Sequence, residues 1–382
     1  MAIMDADELD EILKAVRGFI REQVIPREDE IEDTDEIPAQ IRDQAAAMGL
    51  FGYALPAEYG GLGLRMSEDV RLALEFGYTS PAFRSMFGTN NGIAGQVIAK
   101  FGTDTQKRDF LPGLAAGELI ASFALTEAEA GSDPSGLRTT ARHDEDHYVL
   151  NGQKRFITNA PEADIFVVFA RTDPNSKGGK GISAFIVDAG TVAIGPSDKK
   201  MGQAGAHTAE VYLDNVRVPE TRLIGGVEGE AYAWAMAVLA RGRVHIAALC
   251  VGLAQRVQDE SVRHAATSKQ GDRIIGDHQL VQALLADSQV EIHAGRALVL
   301  DVAARYDSEV DTVVGPSSAK LFCSEMLGRV ADRGVQVHGG LGYMRSVAVE
   351  RFYRDARLFR IYEGTSEIQR IVIGRALVRG VR

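Results

Sequence analysis

The stretch Arg360-Ile361-Tyr362-Glu363-Gly364-Thr365-Ser366-Glu367-Ile368-Gln369 sets one carboxylate, Glu363, between an aromatic and a glycine just ahead of a helix start. Thr365 or Ser366 can cap that helix, Glu367 suits its positive end, and Ile368, Ile371 and Val372 form its apolar stripe. A base beside a residue without a Cβ allows a flat ligand to come close. Taken alone, the segment reads first as an ordinary loop-to-helix junction with a solvated Glu. A second stretch, Phe123-Ala124-Leu125-Thr126-Glu127-Ala128-Glu129-Ala130-Gly131-Ser132-Asp133, is rich in small residues and hydroxyls. It could bring backbone N–H groups and the oxygens of Thr126 or Ser132 against a ring or a phosphate, and is equally well a polar loop with a cap serine. In Asn151-Gly152-Gln153-Lys154-Arg155-Phe156-Ile157-Thr158-Asn159 a strand would point Phe156 and Thr158 the same way. An aromatic and a hydroxyl on one face suit a stacked heteroaromatic ring; a core Phe156 is the plain alternative.

The elements that position these groups follow from periodicity. Leu9, Ile12, Leu13, Val16 and Ile20 recur at helix spacing, a second helix is expected over 37–48, and Ser67 restarts the pattern with Val70, Leu72, Ala73 and Phe76. After Leu119 the character changes. Residues 147–157 read as a hairpin turning at Asn151-Gly152, and 165–170, 181–187 and 209–213 read as further strands. Helix returns over 231–266, 279–306 and 317–338, the last stopped by Gly339-Gly340. The expected class is α+β multidomain: helices, a compact β insert, then long helices.

Composition sets outer bounds. A chain of 382 residues is long enough for two or three domains with buried cores. Its net charge of −11 argues against nucleic acid or an anionic membrane as the main partner, though not against a small anionic ligand. Cys250 and Cys323 fall in apolar helix-like runs and read as reduced core residues; no metal site is expected. No window is read as a membrane span. The start, Met1-Ala2-Ile3-Met4-Asp5-Ala6-Asp7-Glu8, is acidic, unlike a secretory signal or a presequence, so a cytoplasmic protein is expected.

Together these motifs resemble, in order and over nearly the whole chain, those of the acyl-CoA dehydrogenase family. The segment at Glu363 is similar to its catalytic-base segment. Residues 126–133 resemble its Thr-Glu-Pro-x-Ala-Gly-Ser-Asp signature, with Ala128 in place of proline. Residues 151–159 resemble its flavin-shielding strand, and Met201-Gly202-Gln203 with 209–219 its closing β segment. The resemblance implies an N-terminal helical domain (1–119), a middle β-barrel domain (120–228) and a C-terminal four-helix bundle (229–382). It also implies FAD between the last two, a homotetramer built as a dimer of dimers, and an electron-transfer flavoprotein as electron acceptor. Cofactor contacts would fall on Phe123, Leu125, Thr126, Ser132, Phe156, Thr158, Gln279, Gln336, Gly340, Thr365 and Glu367. Gln336 and Gly340 would reach a neighbouring subunit's FAD. Ser268-Lys269-Gln270-Gly271-Asp272 departs from the usual Arg-x-x-Phe-Gly, leaving Lys269 or Arg273 to supply the charge.

By the same resemblance, Glu363 removes the α-proton of an acyl-CoA while the β-hydrogen leaves as hydride to flavin N5, giving a trans-2-enoyl-CoA. Ser132, Arg243, Tyr362 and Gly364 would contact the substrate. Some relatives carry the base on the long helix; here that helix reads Ala240-Arg241-Gly242-Arg243-Val244, without a carboxylate. Ser80-Pro81-Ala82-Phe83-Arg84-Ser85-Met86 falls where the family lines its acyl pocket, and resembles the stretch that grips the distal carboxylate in glutaryl-CoA dehydrogenases. A guanidinium there is costly beside an alkyl chain and useful beside a carboxylate. Arg84 turned outward, or paired with an acid such as Glu75, is the competing expectation. An acyl-CoA oxidase or a flavin monooxygenase on the same fold is the rival activity, and Glu363 counts against the monooxygenase.

Overall fold

The computed structural model describes residues 4–381. Seven helices come first: α1 (Ala6–Phe19), α2 (Glu28–Thr34), α3 (Ala39–Ala47), α4 (Met66–Phe76), α5 (Pro81–Gly92), α6 (Ala94–Phe101) and α7 (Asp104–Ala116). Local chemistry sets their starts. Asp5 caps α1, Thr103 and Gln106 form a capping box on α7, and Ser80 with Pro81 opens α5. The α4 N-terminus is satisfied from far along the chain, since Asp307 accepts from the Met66 and Ser67 N–H groups, each at 2.8 Å. Helix α5 is buried on every side, so it is an interior rod rather than an amphipathic surface helix.

The β region comprises β1 (Ala121–Ala124), β2 (Thr140–Asp144), β3 (His147–Thr158), β4 (Ile165–Arg171), β5 (Ile182–Asp188), β6 (Ala193–Ile194) and β7 (Thr208–Pro219). They form a curled sheet in the order β1-β4-β2-β3-β7-β6, with β5 also on β4. Strand β4 is buried on both faces. Ile165, Val167 and Phe169 pack with α6, α7 and α8 residues, while Phe166, Val168 and Ala170 enter the core shared with β3 and β7. A continuous apolar run is the sequence such a strand requires.

The hairpin expected at Asn151-Gly152 is not there. Strand β3 runs straight through both residues, pairing with β2 on one side and β7 on the other. Gly152 marks a register irregularity where a Cβ would lie 2.4 Å from the Thr139 hydroxyl, and Asn151 bonds across to Asn215. The chain turns instead at Glu145, which takes φ 58° between β2 and β3.

The C-terminal part holds α8 (Ala231–Thr267), the short pair β8 (Lys269–Gln270) and β9 (Arg273–Ile274), α9 (Gln279–Asp307), α10 (Val314–His338), α11 (Ala348–Leu358) and α12 (Ser366–Arg379). Helix α8 corrects a second expectation. It contains an 18-residue window of mean hydropathy 1.5, apolar enough to cross a membrane, yet 83% of that window is buried inside the protein. Its Val244–Ala254 segment meets α4, α9 and α10 in the main core, so its apolarity serves packing on all sides. Cys250 and Cys323 are buried free thiols in that core, as expected.

Candidate active site

Glu363 lies in the short turn between α11 and α12. It adopts φ 52° and Gly364 φ 90°, a left-handed pair that a residue with a side chain enters only under outside constraint. The constraint is visible. Lys320 Nζ donates to the Gly364 carbonyl at 2.6 Å, and Gln369 Nε2 donates to the Gly364 and Glu363 carbonyls at 2.9 and 3.2 Å. Thr365 caps α12 through its hydroxyl, which accepts from the Ile368 N–H at 3.3 Å. Ser366 Oγ donates to Glu325 at 2.6 Å, and Glu325 also pairs with Arg360 at 2.8 Å.

The residue as a whole is half-buried, but its Oε2 is fully buried and has no hydrogen-bond partner among the described residues. Gly242 of α8 makes room for it: a Cβ there would stand 2.3 Å from Glu363 Oε2. The Glu363 carboxylate therefore fills the space that the absent Gly242 side chain leaves beside α8. Burial pushes the Glu363 carboxyl above the usual carboxylate range, opposed by the charges of Arg84, Lys320 and Arg243. Arg243 is buried, with an unpartnered Nε and no acid within ion-pair distance among the described residues.

Arg84 points inward. It is 7% exposed, and its Nε donates to His245 Nε2 at 2.9 Å. His245 Nδ1 lies 2.6 Å from Asp69, which pairs with Arg241 at 2.7 Å. Since Nε2 accepts from Arg84, the hydrogen sits on Nδ1 and His245 is the neutral tautomer. Glu75, the acid expected as a partner, is taken by Arg17 and Arg21 instead. No carboxylate pairs with Arg84 among the described residues.

On the β side, Phe156 has φ 58° at a bulge in β3 and is 61% exposed, with Ile157 buried and Thr158 half-buried. Phe156 and Thr158 thus share the open face, and the core reading of Phe156 is excluded. Asn159 ties this strand end to α5, donating to the Ser85 carbonyl at 2.9 Å and the Thr89 hydroxyl at 3.0 Å. The loop that follows Phe123 and the end of β1, holding Leu125 and Thr126, is braced from beneath. Lys154 Nζ reaches the Leu125 carbonyl at 3.3 Å and Glu127 at 2.7 Å, and Glu127 also accepts from the Arg138 and Thr139 N–H groups.

Tyr362, Glu363, Gly364, Arg243 and Arg84 thus converge. Ser132, Gln279, Gln336, Gly340 and Glu367 do not; all are exposed, and none bonds to the Glu363 cluster among the described residues. Lys269 and Arg273 are exposed on the β8–β9 hairpin. Lys320, His245 and Asp69 are buried groups beside the site that motif reading passes over. The available signal was a charge on an apolar stripe: Lys320 shares a helical face with Cys323, Leu327 and Val330, and Asp69 one with Met66, Val70 and Ala73.

Three family models match in series: the N-terminal domain of acyl-CoA dehydrogenase over residues 6–118, the middle domain over 122–216 and the C-terminal domain over 230–378. A 3-(aryl)acrylate reductase of Clostridium sporogenes is 38% identical over 96% of this chain and 98% of its own. A caffeyl-CoA reductase–Etf complex subunit of Acetobacterium woodii is 37% identical over 96% of this chain and 97% of its own. The structure of butyryl-CoA dehydrogenase from Megasphaera elsdenii superposes with a TM-score of 0.93 at 32% identity, covering 99% of this chain and 100% of that one. The chain belongs to the acyl-CoA dehydrogenase family and is an oxidoreductase with FAD as its cofactor.

Proposed function

We propose that this protein interconverts an acyl-CoA and its trans-2-enoyl-CoA, with Glu363 as the base. The observation that carries the reading is the buried, unpartnered Glu363 Oε2 at a left-handed turn, admitted by Gly242. A thioester α-proton is too weakly acidic for an ordinary carboxylate in water. Burial strengthens Glu363 as a base, and the backbone N–H at the turn supplies a donor where negative charge develops on the thioester carbonyl. Bound FAD supplies the acceptor for the β-hydride at N5. The α C–H pair becomes the new C=C bond as the proton passes to Glu363. In reverse, the protonated carboxyl returns that proton, which suits relatives named as reductases.

The residues present fit FAD. Phe156 and Thr158 offer a ring and a hydroxyl on one open face, Phe123 lies in β1, and Leu125, Thr126 and Ser132 lie on the braced loop and its continuation. Thr365 and Glu367 open α12 beside the base. Gln336 and Gly340 are exposed, as residues serving a neighbouring subunit's FAD would be, and Gln279, assigned to the flavin as well, is also exposed. Arg243, Tyr362, Gly364 and Ser132 are assigned to the acyl-CoA. We further assign a homotetramer, a cytoplasmic location and an electron-transfer flavoprotein as redox partner; the Etf-complex relative supports the last.

One observation favours a narrower substrate. Arg84 is buried close to Glu363, its Nε held by a neutral His245 and no acid pairing with its guanidinium. That arrangement suits an acyl chain ending in a carboxylate. Anaerobic titration with octanoyl-CoA and, separately, glutaryl-CoA, following flavin absorbance, tests both readings. Preferential bleaching by glutaryl-CoA makes Arg84 the carboxylate anchor; bleaching by octanoyl-CoA alone makes it structural. Glu363→Gln should keep FAD and bind ligand yet lose nearly all turnover, and substantial activity in that variant would sink the base assignment.

A further inference from the structure

Lys320 is a buried lysine on α10 with no carboxylate within ion-pair distance among the described residues. The one hydrogen bond of its side chain among the described residues, 2.6 Å to the Gly364 carbonyl, holds the residue that follows Glu363. Isolating an ammonium in a protein interior is costly, and a plain helix–turn anchor does not require a charge. Gln369 supplies such an anchor already, reaching the same carbonyl at 2.9 Å without charge. What the amide cannot supply is a positive potential on the Glu363 carboxylate.

We propose that Lys320 is a positioning residue for catalysis, which fixes the Glu363–Gly364 turn and holds Glu363 in its reactive, ionised form. This rests on Glu363 being the base. The groups facing the pair are few. Among the described residues Arg243 and Cys250 come from α8, Glu325 from α10 itself, Arg84 from α5 and Tyr53 from the segment before α4, and Tyr362 precedes the base. Glu325 is engaged by Arg360 and Ser366. Arg84 and Arg243 share the task, so removal of Lys320 leaves Glu363 less readily ionised rather than never ionised. Burial pulls the Lys320 ammonium down to about 8, so it is charged at neutral pH and releases its proton in mildly alkaline solution.

The test is the pH dependence of kcat/KM of the FAD-loaded enzyme, with the acyl-CoA that bleaches the flavin. Lys320→Gln keeps a donor for the Gly364 carbonyl but removes the charge. Its acid limb should move upward by about one unit, so activity falls by up to about tenfold on the acid side of the limb and is little changed above it. Lys320→Arg should bring the limb back, even where kcat is lower. Gln369→Leu removes the neutral anchor and should lower kcat without moving the limb; this variant also covers failure of Lys320→Gln to fold, since a limb shift in it would place the effect in the turn and not in the charge. An unmoved limb in Lys320→Gln, with Glu363→Gln inactive, overturns the inference. Activity in Glu363→Gln with its limb intact overturns it by removing the base it rests on. The two failures are separate readings.

Discussion

At the scale of single residues, the site is defined as much by what is missing as by what is there. Gly242 is required by volume: any side chain would collide with Glu363 Oε2. Gly242→Ala should therefore displace the carboxylate, lowering kcat by about a hundredfold, the cost of misplacing a reacting group by roughly 1 Å. Steady-state kinetics beside unchanged flavin content and circular dichroism would check it; near-normal kcat would show that the carboxylate works from another position. The Glu363 turn stood out in the sequence because an aromatic, a carboxylate, a glycine and a cap stand consecutively. Those residues alone read as a solvated junction, and only the family resemblance singled out the carboxylate. Lys320 and His245 did not stand out. Each belongs to a helix whose other buried residues are apolar, and what makes it matter is a neighbour far along the chain.

Elements show where local pattern suffices. Helix and strand spans followed from spacing, because periodic burial is written into the residues that are buried. The turn between β2 and β3 did not. Asn151-Gly152 has turn chemistry but uses it for a bulge inside a long strand, and the actual turn passes through Glu145, a residue with no special preference for it. The bulge near Phe156 is the consequential one, since regular alternation would put Phe156 on the face of Lys154, which is wholly buried. The β3 strand also braces the loop before β2. The Glu127 carboxyl is disfavoured by burial but is held below its usual range by Lys154, the Thr139 hydroxyl and the Arg138 N–H. Lys154→Met leaves Glu127 charged and unpaired. It should destabilise the protein by about 3–5 kcal/mol and loosen FAD, read as a lower denaturation midpoint and faster flavin loss on dilution. Unaltered flavin retention would show that the brace is dispensable to the loop.

For the whole molecule, the long-range ties run through charges. Glu28 of α2 is 3% exposed and meets four partners: the Thr79 hydroxyl at 2.6 Å, the Ser80 N–H at 3.1 Å, Arg256 of α8 at 3.3 Å and Arg351 of α11 at 2.9 Å. One carboxylate thus joins the first helices to the last bundle. Glu28→Gln removes the shared charge and leaves Arg256 to Glu260 and Arg351 to Asp29, each at 2.8 Å, and a loss of about 2 kcal/mol is expected in denaturant unfolding. Activity at low temperature should persist, because none of these residues touches the Glu363 turn. A variant as stable as the parent would show that these remaining acceptors suffice for the arginines.

The apolar wall of α8 also bears on how the chain comes into being. On the ribosome this helix emerges before α9 and α10, the two elements that cover most of it. At about 5–20 residues per second, the stretch from Thr267 to His338 takes roughly 4–14 s to make. For those seconds a segment apolar enough to enter a bilayer waits with only the earlier helices to shield it. The nascent chain is therefore a substrate for chaperones at that stage, and messages truncated after α8 yield aggregating fragments.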